Sequence, residues 1–346
     1  MLRYLTAGES HGKALVAILE GMPAGLKIDQ QKINQELKRR QSGFGRGVRM
    51  KIEKDKAEII CGLRKGLSLG SPISMLIKNK DSSIDRLGPV LCPRPGHADL
   101  AGFLKYGFSD CRDVLERASA RSTAATVAVG AISKILLKQF KIKVSSQVLS
   151  IGAEKTHLGM IKKISQAALA KDTVGGIFEV IVQGVPGGLG SYAQPDRRLD
   201  ARLAAGIISI PGIKAIEIGL GFGYAARFGS RCHDEIFYSK GNGYFRKTNN
   251  AGGIEGGVSN GENIILRACM KPICTLMQPL GSVNIHTKKP SKAATERSDI
   301  SVVWAAGVVA EAVSALVLAD AFLEKFGSDS LLDIKVNYKH YLKRIS

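Results

Sequence analysis

The sequence predicts an α+β fold, a β-α-β sandwich of two pseudo-symmetric halves in alternating sheet and helix layers. Three observations predict it: an order of elements that occurs twice, a Pro-Gly turn closing a strand at the same place in each half, and a long helix rich in small residues ending each half. Residues 1–346 are expected to form a single domain, with pseudo-repeats of roughly 1–150 and 172–330.

The apolar run Ala14–Leu19 leads into Gly21-Met-Pro-Ala-Gly-Leu26, and Ile177–Val182 leads into Gly184-Val-Pro-Gly-Gly-Leu189. Each reads as a strand ended by a turn, because proline pre-sets φ and glycine tolerates positive φ. An amphipathic helix follows each turn. Asp29–Gln41 carries Ile33 and Leu37 four apart, and roughly Pro195–Ser209 carries Leu199 and Leu203 likewise, so each presents one apolar stripe. Asp29 in the first, and Gln194 or Asp196 in the second, mark the N-termini. Strands are expected next over Ala57–Gly62 and Pro72–Lys78, answered by Ile213–Gly219 and Asn263–Met270. The long helices are Ala118–Phe140 and Val302–Phe326, and the halves join near Lys171–Gly176. Ser42–Arg49, Gly229–Asn260 and Gln278–Arg297 are rich in Gly, Arg, Lys and Asn without a period and read as long loops, where function concentrates.

Composition narrows the function classes. With 45% apolar residues the chain can bury a large core. The stretch Met1–His11 has no basic region followed by an apolar run, which predicts a cytoplasmic location. Lys134, Glu311 and Asp320 interrupt the two most apolar segments, which therefore read as buried helices and not membrane spans. Six cysteines lack a CxxC pair or a histidine at zinc spacing, so they read as reduced thiols and no metal site is expected. The net charge of +20 favours polyanionic partners, whether nucleic acid, an acidic membrane or small phosphorylated acids.

Several motifs can carry chemistry. Gly8-Glu9-Ser10-His11-Gly12 sets an acid/base and a hydroxyl between glycines that permit close backbone approach, although a turn bearing a surface histidine has the same sequence. In Arg94-Pro-Gly-His97-Ala-Asp99 the Pro-Gly pair fixes the backbone, and Asp99 either caps the next helix or orients the imidazole. Arg39, Arg40, Arg46 and Arg49 flank Gly43-Phe-Gly45 and offer guanidinium forks for phosphate and carboxylate; a solvated basic loop is the plainer reading. Arg117-Ala-Ser-Ala-Arg121-Ser-Thr123 reads as a helix start suited to an anion, or as an ordinary N-cap. Lys271-Pro-Ile-Cys-Thr275 follows a strand, and in Arg297-Ser-Asp299 the aspartate precedes the last long helix, where it serves equally as a cap. The Gly-rich runs Gly219–Gly223 and Asn249–Gly257 lack the strand, GxGxxG and helix order of a dinucleotide fold.

The co-occurrence of these motifs, in this order, resembles the chorismate synthases from Arg3 to about Phe326. The resemblance rests on residues 8–12, 94–99 with Lys105-Tyr106-Gly107, Arg117–Arg121, Gly184–Gly190, Asp234-Glu235, Ala251–Ile254, Lys271-Pro272, Arg297–Asp299 and Ala310-Glu-Ala312. It implies an anti-1,4-elimination of phosphate and a ring hydrogen from 5-enolpyruvylshikimate 3-phosphate (EPSP), giving chorismate. Reduced FMN is required without net redox change, and its reductant is NADPH or an outside donor. The resemblance also implies a homotetramer. Ser10, Arg40, Arg46 and Arg94 fall at substrate or nucleotide-anion contacts. Arg117, Ala118, Ser119, Pro211, Gly212, Gly256, Lys271, Pro272, Ile273, Cys274, Thr275 and Arg297 fall where the family holds FMN. For catalysis it implies His11 at the leaving phosphate, His97 at the reduced flavin and Asp299 at its N5. The charge then has a reason, since EPSP carries a phosphate and two carboxylates and FMN a further phosphate. Two other readings compete: an RNA-binding protein, which the 6% aromatic content and the lack of an RNP or KH signature weigh against, and a nicotinamide or flavin oxidoreductase lacking its dinucleotide fingerprint.

Overall fold

A computed structural model describes residues 1–47, 53–241, 243–296 and 298–345. The first sheet is built from β1 (Arg3–Ala7), β2 (Ala14–Glu20), β3 (Ala57–Cys61) and β4 (Ile73–Lys78), with α1 (Gln30–Gln41) between β2 and β3. After β4 come α2 (Asp99–Tyr106), α3 (Arg112–Ala118) and the long α4 (Thr123–Lys138). The second sheet uses β5 (Lys143–Ile151), β6 (Gly176–Gln183), β7 (Ile213–Ile218) and β8 (Ile264–Met270), with α5 (His157–Leu169) before β6 and α6 (Leu199–Ile208) before β7. α7 (Val303–Phe326) and α8 (Leu331–Ile345) follow.

The strands run in the order β1-β2-β4-β3 in one sheet and β5-β6-β8-β7 in the other, the same permutation, and neighbours are antiparallel throughout. Arg3 lies opposite Glu20 and Lys143 opposite Gln183, so even the edge pairs correspond. Alternation decides which face each sheet buries. Leu15, Ala17 and Leu19 of β2 and Ile73, Met75 and Ile77 of β4 turn inward, matched by Phe178, Val180 and Val182 of β6 and Ile264, Leu266 and Ala268 of β8. Fully burying each of the larger side chains stabilises by roughly 1.5–3 kcal/mol.

Between the sheets lies the helix layer. Both Arg112–Lys138 and Val303–Phe326 are long and apolar enough to cross a bilayer, yet 78% and 89% of their most apolar windows are buried inside the protein. Small residues bring α4 and α7 together: a Cβ on Gly130 would sit 2.4 Å from the Cβ of Ala312, so only glycine permits this crossing. Across the same layer the fully buried Glu311 of α7 accepts from Arg39 of α1 (2.8 and 2.7 Å), Lys134 of α4 (2.6 Å) and Ser146 of β5 (2.6 Å). One carboxylate thereby ties elements of both halves.

Several boundaries differ from expectation. β5 pairs with β6, so the chain passes from one half to the other after α4, ahead of both residue 150 and Lys171–Gly176. Its alternation is weak because Ser145, Ser146 and Gln147 interrupt the apolar pattern. The helix expected over Ala118–Phe140 breaks at Ser119, whose extended backbone (φ −64°, ψ 139°) separates α3 from a 3-10 turn at Ala120–Ser122 and from α4. Pro195–Arg197 is likewise a 3-10 turn ahead of α6. The two expected loops beyond Gly229 contain short hairpins, Ile236–Ser239 with Gly243–Arg246, Ile254–Glu255 with Val258–Ser259, and Gly281–Val283 with Pro290–Lys292.

Candidate active site

One cavity of about 630 Å³ opens where the loop after β1, the break between α3 and α4, the end of β8 and the start of α7 converge. Its volume lies within the roughly 300–1,000 Å³ of small-molecule sites. Of the residues singled out by sequence, Ser10, His11, Arg40, Arg46, Arg94, His97, Ala118, Ser119, Pro211, Gly212, Lys271, Pro272, Ile273, Cys274, Thr275 and Asp299 line it.

The loop carrying His11 is shaped by Gly8, whose φ of +107° and distance of 2.3 Å from a would-be Cβ to the Ala14 carbonyl exclude any side chain. Asn79 fastens this loop by donating to the carbonyls of Glu9 (3.2 Å), Ser10 (3.3 Å) and Gly12 (2.8 Å). Glu116 of α3 accepts from the His11 backbone N–H at 2.8 Å and meets His11 Nδ1 at 2.9 Å, while its own carbonyl accepts from Ser10 N–H at 2.9 Å. Burial by itself would raise the Glu116 carboxyl, but the His11 donors outweigh it and hold it below its ordinary value.

The second histidine is oriented in the same manner. Asp99 is fully buried; it meets His97 Nδ1 at 2.5 Å and accepts from Arg94 at Nε (2.8 Å), Nη2 (3.0 Å) and the backbone N–H (3.1 Å). Arg94 Nη1 also donates to Thr275 at 2.7 Å. Burial pushes the Asp99 carboxyl up, yet the bonds from His97 and Arg94 prevail and keep it well below the usual carboxylate range. The side chain orients the imidazole and does not cap α2, whose N-cap, Ala98, makes no side-chain bond.

Desolvated cations form the rest of the wall. Arg40 donates to Thr123 (2.9 Å), Asp55 (3.4 Å) and the Ala120 carbonyl (2.9 Å), and burial pushes its guanidinium down to about 10 although Asp55 opposes the shift. Arg121 reaches Asp55 at 2.5 Å and Asn79 at 2.9 and 2.8 Å. Arg46 faces Asp299 at 3.3 Å, and the Gly47 N–H donates to the same carboxylate. Burial lowers the Arg46 guanidinium as well, and its Nε makes no hydrogen bond among the described residues. A buried donor without a partner is costly, so an anion entering here recovers that energy. Asp299 therefore faces Arg46 and Gly47 and does not cap α7, whose N-cap, Val302, makes no side-chain bond. Lys271 Nζ donates to the Gly96 carbonyl and lies 2.7 Å from Cys274 Sγ.

Two expected contacts lie elsewhere. Arg117 belongs to the last turn of α3, not to a helix start, and donates to the carbonyls of Gly8 (3.0 Å) and Thr6 (2.8 Å), which keeps it out of the cavity wall. Gly256 stands in the turn between Ile254–Glu255 and Val258–Ser259, also outside the lining. Arg49 and Arg297 lie outside the described residues. Sequence reading missed Glu53, Asp55, Asn79 and Glu116, the groups behind the cavity. Only Glu116, directly before Arg117-Ala-Ser119, carried a local signal.

Paired histidines, each held by a buried carboxylate, within an arginine-rich wall are groups of the kind that enzymes use for acid–base chemistry on anions. The chorismate synthase family model matches residues 2–323, and the chain belongs to that family of carbon–oxygen lyases. The chorismate synthase of Thermoanaerobacter pseudethanolicus is 54% identical over 344 residues, covering 99% of this chain and 98% of that protein. That of Caldanaerobacter subterraneus subsp. tengcongensis is 55% identical over the same shares, and that of Geobacter sulfurreducens 50% identical over 100% and 99%. A crystal structure of chorismate synthase superposes with a TM-score of 0.82 at 41% identity, covering 99% of this chain and 98% of that one.

Proposed function

We propose that the chain converts EPSP to chorismate by anti-1,4-elimination of phosphate and a ring hydrogen, with reduced FMN required and no net change in oxidation state. The observation that carries this reading is the convergence of His11, His97, Asp299, Arg40, Arg46 and Arg94 on one cavity. Arg40, Arg46 and Arg94 hold the substrate's phosphate and carboxylates with Ser10 beside them. The unmet Nε of Arg46 fits such an anion. His11, supported by Glu116, gives a proton to the departing phosphate.

Ala118, Ser119, Pro211, Gly212 and Lys271–Thr275, which line the same cavity, would hold FMN. Bound there in reduced form, FMN would supply electron density to the breaking carbon–oxygen bond and an acceptor for the ring hydrogen. His97, turned by Asp99, would keep the reduced flavin in its required protonation state, and Asp299 would assist the hydrogen transfer to it. NADPH is a reasonable reductant. A cytoplasmic homotetramer without nucleic-acid or membrane partners completes the reading; for the assembly alone, support comes from the apolar side chains that the outer sheet faces expose, Leu5 (72%), Ile18 (41%) and Ile177 (40%) among them.

The test is anaerobic incubation of the purified protein with reduced FMN and EPSP, following phosphate and chorismate. His11→Ala and His97→Ala should each lower turnover by about 10²–10⁴ while FMN still binds. An intact ester with the wild-type protein, or wild-type turnover in both variants, refutes the proposal.

A further inference from the structure

We infer that Glu116 is a positioning residue that acts through His11, fixing which imidazole nitrogen faces the reacting centre. The inference rests on the proposed role of His11 and deepens it. Glu116 is 3% exposed, and its carboxylate meets both the backbone N–H of His11 (2.8 Å) and ring Nδ1 (2.9 and 3.1 Å). Main chain and ring of one residue are thus bound to one rigid group. A carboxylate only accepts, so the hydrogen on this edge of the ring belongs to Nδ1, and Nε2 on the opposite edge is the nitrogen that exchanges a proton.

The mounting is stiff. Glu116 sits in the last turn of α3, and its carbonyl accepts from Ser10 N–H, so the helix grips the His11 loop at a second point. Arg112, one turn earlier, stands 3.8 Å from Glu116 and is itself held by Glu296 at 2.9 Å and the Gly88 carbonyl at 3.1 Å. This cation favours the ionised form of Glu116, which orientation of Nδ1–H requires. Nothing in the sequence motif around His11 supplies such a partner; the 105-residue separation is closed only by the fold.

Glu116→Gln preserves volume but replaces two accepting oxygens with one, and should lower turnover about tenfold or more, up to the ~10²–10⁴ contributed by the acid itself. The KM for EPSP and FMN affinity should stay near wild type, while the denaturation midpoint falls because a buried, hydrogen-bonded charge is lost. The nitrogen-15 shifts of His11 should report Nδ1–H in the wild type and a mixture of tautomers in the variant. In a His11→Ala background the Gln substitution should cost nothing further, because a group acting through His11 has no effect once His11 is gone.

Wild-type turnover in Glu116→Gln, or an equal loss with and without His11, overturns the inference while leaving the reaction assignment intact. Wild-type turnover in His11→Ala overturns the reading beneath it, and the inference falls with it.

Discussion

Replacing Asp99 with asparagine removes one charge and almost no volume. In the wild type this carboxylate is fully buried and takes three bonds from Arg94 and one contact from His97, while Arg94 has only Thr275 as a further described hydroxyl partner. The variant leaves a buried guanidinium facing a neutral amide. Breaking a buried ion pair on one side costs about 3–5 kcal/mol, a large part of the roughly 5–15 kcal/mol that holds a typical domain together. Urea unfolding followed by circular dichroism should show a lower midpoint at nearly unchanged slope. The pH dependence follows from the depressed carboxyl. A group with its folded-state value below the unfolded one contributes fully above about pH 4, the ordinary aspartate range, and loses that contribution as pH falls toward the folded value. Wild-type stability should decline on acidification below that range, and the Asp99→Asn variant should lose part of this dependence. An unchanged midpoint together with an unchanged acid limb would refute the assignment of Asp99 as the ionised anchor of both Arg94 and His97.

Arg46→Ala removes a buried, under-satisfied donor from the cavity and should weaken EPSP binding about 10–100-fold, equivalent to ~1.5–3 kcal/mol for a charge-assisted hydrogen bond, measured by calorimetry with FMN present. Arg46→Lys should recover only part of the loss, since an ammonium lacks the guanidinium fork. Glu311→Ala leaves Arg39 and Lys134 with Glu36 and takes the acceptor from Ser146, and should lower stability by about 1–3 kcal/mol by urea unfolding, with KM unchanged because Glu311 lies outside the cavity lining.

The +20 charge and the cavity explain one another only through the buried carboxylates. Asp55 and Asp99 neutralise Arg40, Arg121 and Arg94 from behind, so these cations stay ordered close together without any ligand. Arg46 remains the least satisfied of them, which makes it the side chain whose partners change most when an anion enters. A preordered wall avoids the entropy of fixing flexible cations at the moment of binding.

Local sequence determined the elements with a clear period and the residues whose chemistry is written in a contiguous motif. Alternation in β2, β4, β6 and β8, four-residue spacing in α1 and α6, and the Pro-Gly turns each act over a few residues, so the two-layered repeat was readable without coordinates. His11, His97 and Arg94 were visible for the same reason. The tertiary structure decided which sheet β5 joins, since hydrogen bonding to β6 outweighs a mixed polar pattern. It also broke the helix at Ser119, where the chain must turn to form the cavity wall, and sent Arg117 to backbone carbonyls of β1 and its loop. Above all, it placed Glu116, Asp55 and Asn79 behind their partners across 105, 66 and 42 residues of chain. Buried polar groups must find partners wherever packing puts them, and that requirement is a property of the folded interior, invisible to any window of sequence.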